Sequence, residues 1–258
     1  MHTPLCGHAI GAPFDYVLAA QKAGLEEIGF SDHNPMPTQF DDWRMAPHQL
    51  DEYVEMIQAA QRDFPDFPIR LGLECDFLPG YEAHIRDLAS RADWDYLIGA
   101  VHYITPDWDV DNPKHLKRWT EQPVEEIWEL YFEAYTKMVQ SCLFDFLAHP
   151  DLVKKFGHRP KGDLSRFYLK TLDAVAEAGV TLEISTAGLR KEVHEIYPSR
   201  DFLVAAHARN IPIVINSDAH DPREVGYEFD QAYALALDVG YTQVMRFDKR
   251  KAMPVDIG

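Results

Sequence analysis

Residues 164–220, LSRFYLKTLDAVAEAGVTLEISTAGLRKEVHEIYPSRDFLVAAHARNIPIVINSDAH, decide the fold. Leu164–Ala178 carries apolar residues at helical spacing and is stopped by Gly179, a residue that readily takes the left-handed conformation that closes helices. Val180–Ser185 (VTLEIS) reads as a strand. Ser199–Ala208 reads as a second helix and Ile211–Asn216 (IPIVIN) as a second strand. Pro212 falls near the start of that strand, where a missing N–H does least harm.

Outward from this stretch the alternation continues. Phe14–Ala23 is a helix ended by Gly24, Leu25–Ser31 (LEEIGFS) a strand, and Gln49–Arg62 a long helix. Ile69–Cys75 (IRLGLEC) is a strand, Tyr81–Ser90 a short helix and Tyr96–Val101 (YLIGAV) a buried strand. Val124–Gln140 is an amphipathic helix, with Ile127, Leu130, Tyr131, Ala134 and Met138 near helical spacing. Phe144–Ala148 (FDFLA) is a strand, Phe229–Val239 a helix, and Thr242–Phe247 a last short strand. About seven strand–helix repeats imply parallel pairing, because parallel strands need long crossovers. An open doubly wound sheet and a closed barrel both satisfy this. No GxGxxG follows the first strand, so the dinucleotide-binding version lacks its best support. A barrel predicts functional residues just past the C-terminal ends of several strands.

The 258 residues carry 25 Lys plus Arg against 42 Asp plus Glu, a formal charge of −17, with 46% hydrophobic residues. This is a globular balance, and the length suits one α/β barrel. A pI near 5.0 argues against nucleic acid and anionic membrane surfaces as partners. No apolar run reaches the ~18 residues of a membrane span, and the start lacks the pattern of a signal peptide. Cys6, Cys75 and Cys142 are too scattered for a disulfide framework, so a reducing cytoplasm is expected. No composition shift marks a boundary, and residues 1–258 are expected to form one domain.

The unusual side chains fall where a barrel would gather them. His2 and His8 lie in HTPLCGH at the start, and Asp32 and His33 end the first strand. Glu74 ends IRLGLEC, His102 ends YLIGAV, His149 ends FDFLA, and Asp218 and His220 follow IPIVIN. One such residue alone is more often a cap or a solvated loop group; five strand ends doing so together point to a site. Imidazoles and carboxylates suit zinc, manganese or iron. The ligands exceed the needs of one ion, and a carboxylate such as Glu74 can bridge two, so two or three divalent ions are expected. His48, His84, His115, His194 and His207 read as surface residues, His158 as intermediate, and Cys6 and Cys75 as packing residues.

In order along nearly the whole chain, HTPLCGHA at 2–9, SDHN at 31–34, Glu74, VHY at 101–103, AHPD at 148–151 and NSDAH at 216–220 resemble the polymerase and histidinol phosphatase (PHP) family. LVKKFGHRP (152–160) and STAGLRKEVHEIYPS (185–199) resemble its histidinol-phosphatase branch. The resemblance implies a distorted (β/α)7 barrel of the TIM-like kind, holding three metal ions, that hydrolyses L-histidinol phosphate to L-histidinol and phosphate in histidine biosynthesis. By motif, the first ion would take His2, Glu74 and Asp218. The second would take Glu74, His102 and His149, and the third His8, His33 and His220. Asp32 would orient His33.

The family's opening Asp-x-His-x-His is only partly represented, since Met1 directly precedes His2. A truncated first strand and a weakened or empty first-ion site are therefore expected. Arg159 and Arg190 are candidates for gripping phosphate, because guanidinium forks match its oxygens. Lys154 and Lys155 are expected at the surface. Asp76, Phe77, Tyr103 and Glu183 are placed to meet the amine and imidazole of the substrate, with Phe77 and Tyr103 equally readable as packing residues. Asp218 and His220 are the candidates for protonating the leaving group. The expected partner is a small phosphorylated substrate. Two alternatives stand beside this: hydrolysis of another small phosphate monoester, or a metal-binding module inactive for want of the missing His.

Overall fold

The computed structural model of the chain describes every residue except Gln39. Its elements, in order, are α1 (Pro13–Lys22), β1 (Ile28–His33), α2 (Leu50–Asp63), β2 (Ile69–Asp76), α3 (Glu82–Ala89), β3 (Tyr96–Ala100), β4 (Tyr103–Thr105) and β5 (Trp108–Asp109). There follow α4 (Val124–Gln140), β6 (Phe146–Leu147), α5 (Ser165–Ala178), β7 (Thr181–Ser185), α6 (Arg200–His207), β8 (Ile213–Asn216), α7 (Phe229–Val239), β9 (Gln243–Asp248) and β10 (Lys251–Asp256).

Local signals account for several boundaries. Pro13 opens α1, where its missing N–H costs nothing, and the Asp15 carboxylate accepts the Ala12 N–H at 2.8 Å. Gly179 ends α5 at φ +65°, its N–H returning to the Val175 carbonyl at 3.0 Å. Pro212 lies just before β8, and its carbonyl accepts the Leu182 N–H at 2.9 Å.

Six strands form one parallel sheet in the order β1-β2-β3-β6-β7-β8. Both of its faces are covered, so β3 and β7 are buried at every residue. Inside the curl, Tyr96 lies against Gly29 and Gly72, positions where any Cβ would collide with its ring. Outside, α4 turns Ile127, Tyr131, Ala134, Tyr135 and Met138 inward, while Leu130 stays only half-buried. Tyr135 and Tyr131 donate to the carbonyls of Ala148 at 3.0 Å and His149 at 3.2 Å. The helix thereby grips the end of a strand only two residues long.

The expected run of about seven parallel strands is corrected in two places. The segment expected over Thr242–Phe247 is a strand, but β9 pairs antiparallel with β10 outside the main sheet. Its Phe247 packs on Tyr96 and Phe146 and floors the interior. Among the described residues, the seam between β1 and β8 is bridged by the first two of the chain. The Met1 amino group donates to Gly29 O at 3.2 Å, Ser31 N–H to Met1 O at 2.8 Å, and His2 N–H to Ala219 O at 3.0 Å. Beside this bridge lies a cavity of about 730 Å³, lined among others by Met1, Gly29, Tyr96, Phe146, Val214 and Phe247. Among the described residues, no helix is long and apolar enough to cross a membrane.

Candidate metal centre

The C-terminal ends of the strands carry the polar residues into one cup. His2 enters from the seam, its Nε2 lying 3.0 Å from Asp218 Oδ1 and 3.3 Å from Glu74 Oε2. The other Glu74 oxygen, Oε1, faces His149 Nε2 at 3.3 Å and His102 Nε2 at 3.7 Å. Glu74 thus stands between two groups of ligands, one on each oxygen. The rings of His33, His8 and His220 complete the cup, with centroids 4.3 Å from His2 to His33, 3.9 Å from His2 to His220 and 4.6 Å from His8 to His220.

The grouping inherited from the family motif is partly reproduced by distance. His2, Glu74 and Asp218 offer atoms within 4.8 Å of one another, as do His33, Glu74 and His102, and His2, His33 and His220. His33 therefore lies as close to the Glu74–His102 pair as to the third set. Cys6 also comes within 4.8 Å of ligand atoms of His8 and His220 while fully buried, closer to the centre than a packing role required.

A second layer holds these groups in place. Asp32 accepts from the Thr3 N–H at 3.0 Å and the Thr3 hydroxyl, and faces His2 Nδ1 at 3.4 Å. It accepts only the backbone N–H of His33, at 2.8 Å, so the ring it steadies is that of His2 rather than the expected His33. His8 Nδ1 meets Cys6 O at 3.0 Å and His220 Nδ1 meets Asp218 O at 3.1 Å, which leaves both Nε2 atoms available. His149 (φ 22°) and Asp218 (φ 46°) take left-handed backbone conformations, which cost non-glycine residues energy and cluster at functional sites. The Glu183 carboxylate pins the first of these by accepting the His149 N–H at 2.7 Å.

The electrostatics suit a cation. Burial would raise the carboxyls of Glu74 and Asp218, but His149 and His2 hold Glu74 low, and His220 and His2 hold Asp218 low. Burial would lower His102, yet the Asp76 carboxylate outweighs it and lifts the imidazole to about 10. Burial, reinforced by the neighbouring imidazoles, pushes His33 and His220 well down. His220 Nε2, the nitrogen left over when Nδ1 meets Asp218 O, is buried without a hydrogen-bond partner. Orphaned polar atoms cost about 1–3 kcal/mol each, and divalent cations relieve such a deficit where a lone pair faces them. The donor set therefore fits divalent metal.

The other expected site residues fare unequally. Arg190 is half-buried beside the cup, its Nη2 donating to Ser217 O at 2.8 Å and Asp218 O at 3.0 Å. Arg159 is 37% exposed and ion-paired with Glu195. Phe77 is a core residue, so burial selects the packing alternative over contact with substrate. Asp76 and Glu183 are buried too, and engaged with His102 and with the His149 N–H. Tyr103 is buried, stacks on Trp43 and donates to Asp41 at 2.8 Å. The expectation of a surface Lys154 is also overturned. Its ammonium is buried against Asp151 at 2.9 Å and Ile196 O at 2.8 Å. Lys155 is half-buried on Asp111. Trp43 and Arg44 were not singled out by the sequence, although their place in the loop after β1 is where a barrel carries its site residues. Trp43 lies edge-on to His33 at 4.8 Å and to His102 at 5.3 Å.

Known proteins resemble the chain along most of its length. The PHP domain model matches residues 1–187. A Deinococcus radiodurans protein named "Probable histidinol-phosphatase" is 44% identical, covering 98% of this chain and 97% of its own length. The histidinol-phosphatase of Bacillus subtilis is 29% identical over 89% of this chain and 95% of its own. Among solved structures, a Lactococcus lactis histidinol phosphate phosphatase, complexed with zinc, L-histidinol and phosphate, superposes with a TM-score of 0.84. At 23% identity, with 98% of this chain and 97% of that one covered, it speaks for the fold. The strand-end imidazoles and carboxylates, the parallel sheet that gathers them and the matched domain lead to one assignment: the chain belongs to the PHP family.

Proposed function

We propose that the protein is a metal-dependent histidinol-phosphatase, hydrolysing L-histidinol phosphate to L-histidinol and phosphate. The carrying observation is Glu74, whose two oxygens face His2 on one side and His149 and His102 on the other. Such a carboxylate can serve two cation seats at once. His2, Glu74 and Asp218 would form one seat, Glu74, His102 and His149 a second, and His8, His33 and His220 a third. The six parallel strands, with Met1–His2 in the seam, are read as a distorted (β/α)7 barrel whose first strand is short. Three cysteines without disulfide partners fit a cytoplasmic location.

When bound, divalent ions supply Lewis acidity for the phosphoryl oxygens and lower the pKa of water. The chain does the rest. Arg190 presents donors beside Asp218 for the phosphate oxygens, and Arg159, now paired with Glu195, would have to leave that partner to join it. Asp218 and His220, the expected proton donors, keep about a fifth of their side-chain surface open (21% and 20%); both favour the deprotonated form and serve as seat ligands, so their part is to admit and orient the water that protonates the departing alkoxide.

The test is phosphate release from L-histidinol phosphate with Mn²⁺ or Zn²⁺ added. Wild type should turn over, and Glu74→Gln should lose at least 100-fold, roughly 2.7 kcal/mol of barrier. Release at background level from a folded, metal-loaded wild type would defeat the assignment. Faster release from another small monoester would instead favour the broader phosphoesterase reading.

A further inference from the structure

Arg44 is the most fully engaged guanidinium near the cup, and nothing in the reaction described above uses it. Its side chain is 3% exposed. Nε donates to the two Asp41 oxygens at 2.9 and 2.8 Å, and Nη1 to Asn34 O at 3.2 Å and Asn34 Oδ1 at 3.3 Å. Nη2 donates to Asp76 Oδ2 at 2.8 Å. The remaining Asp76 oxygen meets His102 Nδ1 at 2.7 Å, and His102 Nε2 faces Glu74. Asn34 Oδ1 also accepts the Asp76 N–H at 2.9 Å, so the loop after β1 and the end of β2 are tied twice. The guanidinium lies 4.3 Å from the centroid of Trp43, the ring that stands edge-on to His33 and His102.

This chain of contacts has a direct physical consequence. A hydrogen bond from His102 Nδ1–H to Asp76 selects the tautomer whose Nε2 lone pair points into the cup. Asp76 is itself buried, and a buried carboxylate needs a fixed countercharge to stay ionised and in place. Arg44 supplies that charge through a planar fork that also anchors the loop, a job a lysine point charge does not reproduce. We propose that Arg44 is a positioning residue of the metal centre: by locking Asp76 it sets the orientation of His102 and hence the affinity of the cation seat shared by His102 and Glu74. The inference rests on the metal-dependent reading of the site.

The experiment is a substrate-free zinc titration of the full chain against a chromophoric chelator. Wild type is compared with Arg44→Gln, Arg44→Lys and Asp76→Asn. Thr171→Ala is the control; it breaks a buried contact with Thr136 between α4 and α5, away from the cup. Arg44→Gln and Asp76→Asn should weaken one zinc equivalent by about 10- to 100-fold, the range typical for an outer-shell partner. Arg44→Lys should fail to restore it, and Thr171→Ala should lower the melting temperature without changing zinc affinity. In activity assays the Arg44→Gln defect should shift to higher zinc concentration and shrink at saturation. Wild-type affinity in Arg44→Gln, full rescue by lysine, or an equal loss in Thr171→Ala would overturn the proposal. If Arg44→Gln does not fold, the affinity of Arg44→Lys decides the matter by itself. Failure of the wild type to take up zinc would instead overturn the metal-dependent reading and the proposal with it.

Discussion

Arg190 holds a buried guanidinium against the backbone that carries Asp218, yet not all of its donors are spent. Nη1 is buried without a partner, and Nε lies 3.1 Å from Glu224 but off the hydrogen-bonding line. A phosphate oxygen reaching Nη1 would satisfy it, while Nε stays charge-paired with Glu224. Each charge-assisted bond lost is worth about 1.5–3 kcal/mol, so Arg190→Ala should raise KM by roughly 10- to 100-fold. Arg159→Ala should do less, because that side chain is more exposed and already paired with Glu195. Steady-state kinetics of the double variant check both, and an unchanged KM would remove the two arginines from the site. At this scale the sequence was informative about residues that end strands, because strand direction fixes where a strand's last residue sits. It was less informative about Lys154 and Arg44. Both look like loop cations, and only the folded chain reveals that Asp151 and Asp76 bury them.

Among the elements, the excursion after β3 shows what periodicity leaves unread. Strands β4 and β5 are three and two residues long, too short to carry an alternation signal. The hairpin is nevertheless anchored: Val110 N–H donates to His102 O at 2.8 Å, and Lys155 Nζ, from the turn after β6, donates to Asp111 O at 2.6 Å. Lys155 also meets Asp111 Oδ2 at 3.0 Å. Burial would raise the Asp111 carboxyl, but the Lys155 charge, then His102, outweighs it and holds the group at about 2. An unfolded Asp titrates near ~3.9. The folded value is the lower one, so the ionised form stabilises above about pH 4, and this contribution is lost as pH falls toward 2. Asp111→Asn should therefore cost about 1–2 kcal/mol at pH 7. The gap to wild type should close between about pH 4 and pH 2. Urea denaturation across that range measures it; a gap independent of pH would mean that the pair acts through shape alone. The long helices were legible for the opposite reason. In α4 and α5 several turns repeat one apolar face, and Gly179 marks a stop whose geometry depends on glycine alone.

For the whole molecule, the open question is the seam between β1 and β8. Six parallel strands were readable from alternating segments, but closure was not, because it depends on two residues at the start of the chain. Met1 already pairs with Gly29 and Ser31 in the manner of a parallel neighbour, and His2 reaches across to Ala219. Below them β1 continues back to Ile28, and the cavity of about 730 Å³ opens alongside. Its lining mixes Tyr96, Phe146, Val214 and Phe247 with the unpaired backbone edge of β8, so it offers both apolar contact and hydrogen-bond partners to an extended segment. A few added residues ahead of Met1, ending in Asp-x-His, would run along this edge and bring one more imidazole toward Glu74 and Asp218. Two new ladder bonds at about 1 kcal/mol each and 2–4 °C per kcal/mol for a domain of this size give an expected rise of about 4–8 °C in Tm. Zinc stoichiometry should rise toward a filled first seat, and phosphate release should rise at least tenfold, a barrier change of about 1.4 kcal/mol. An extension in which Ala replaces that His separates the effects: it should keep the thermal gain and lose the catalytic one. If neither extension raises Tm, the cavity is not a strand's seat; if both raise activity alike, the added imidazole is not a ligand.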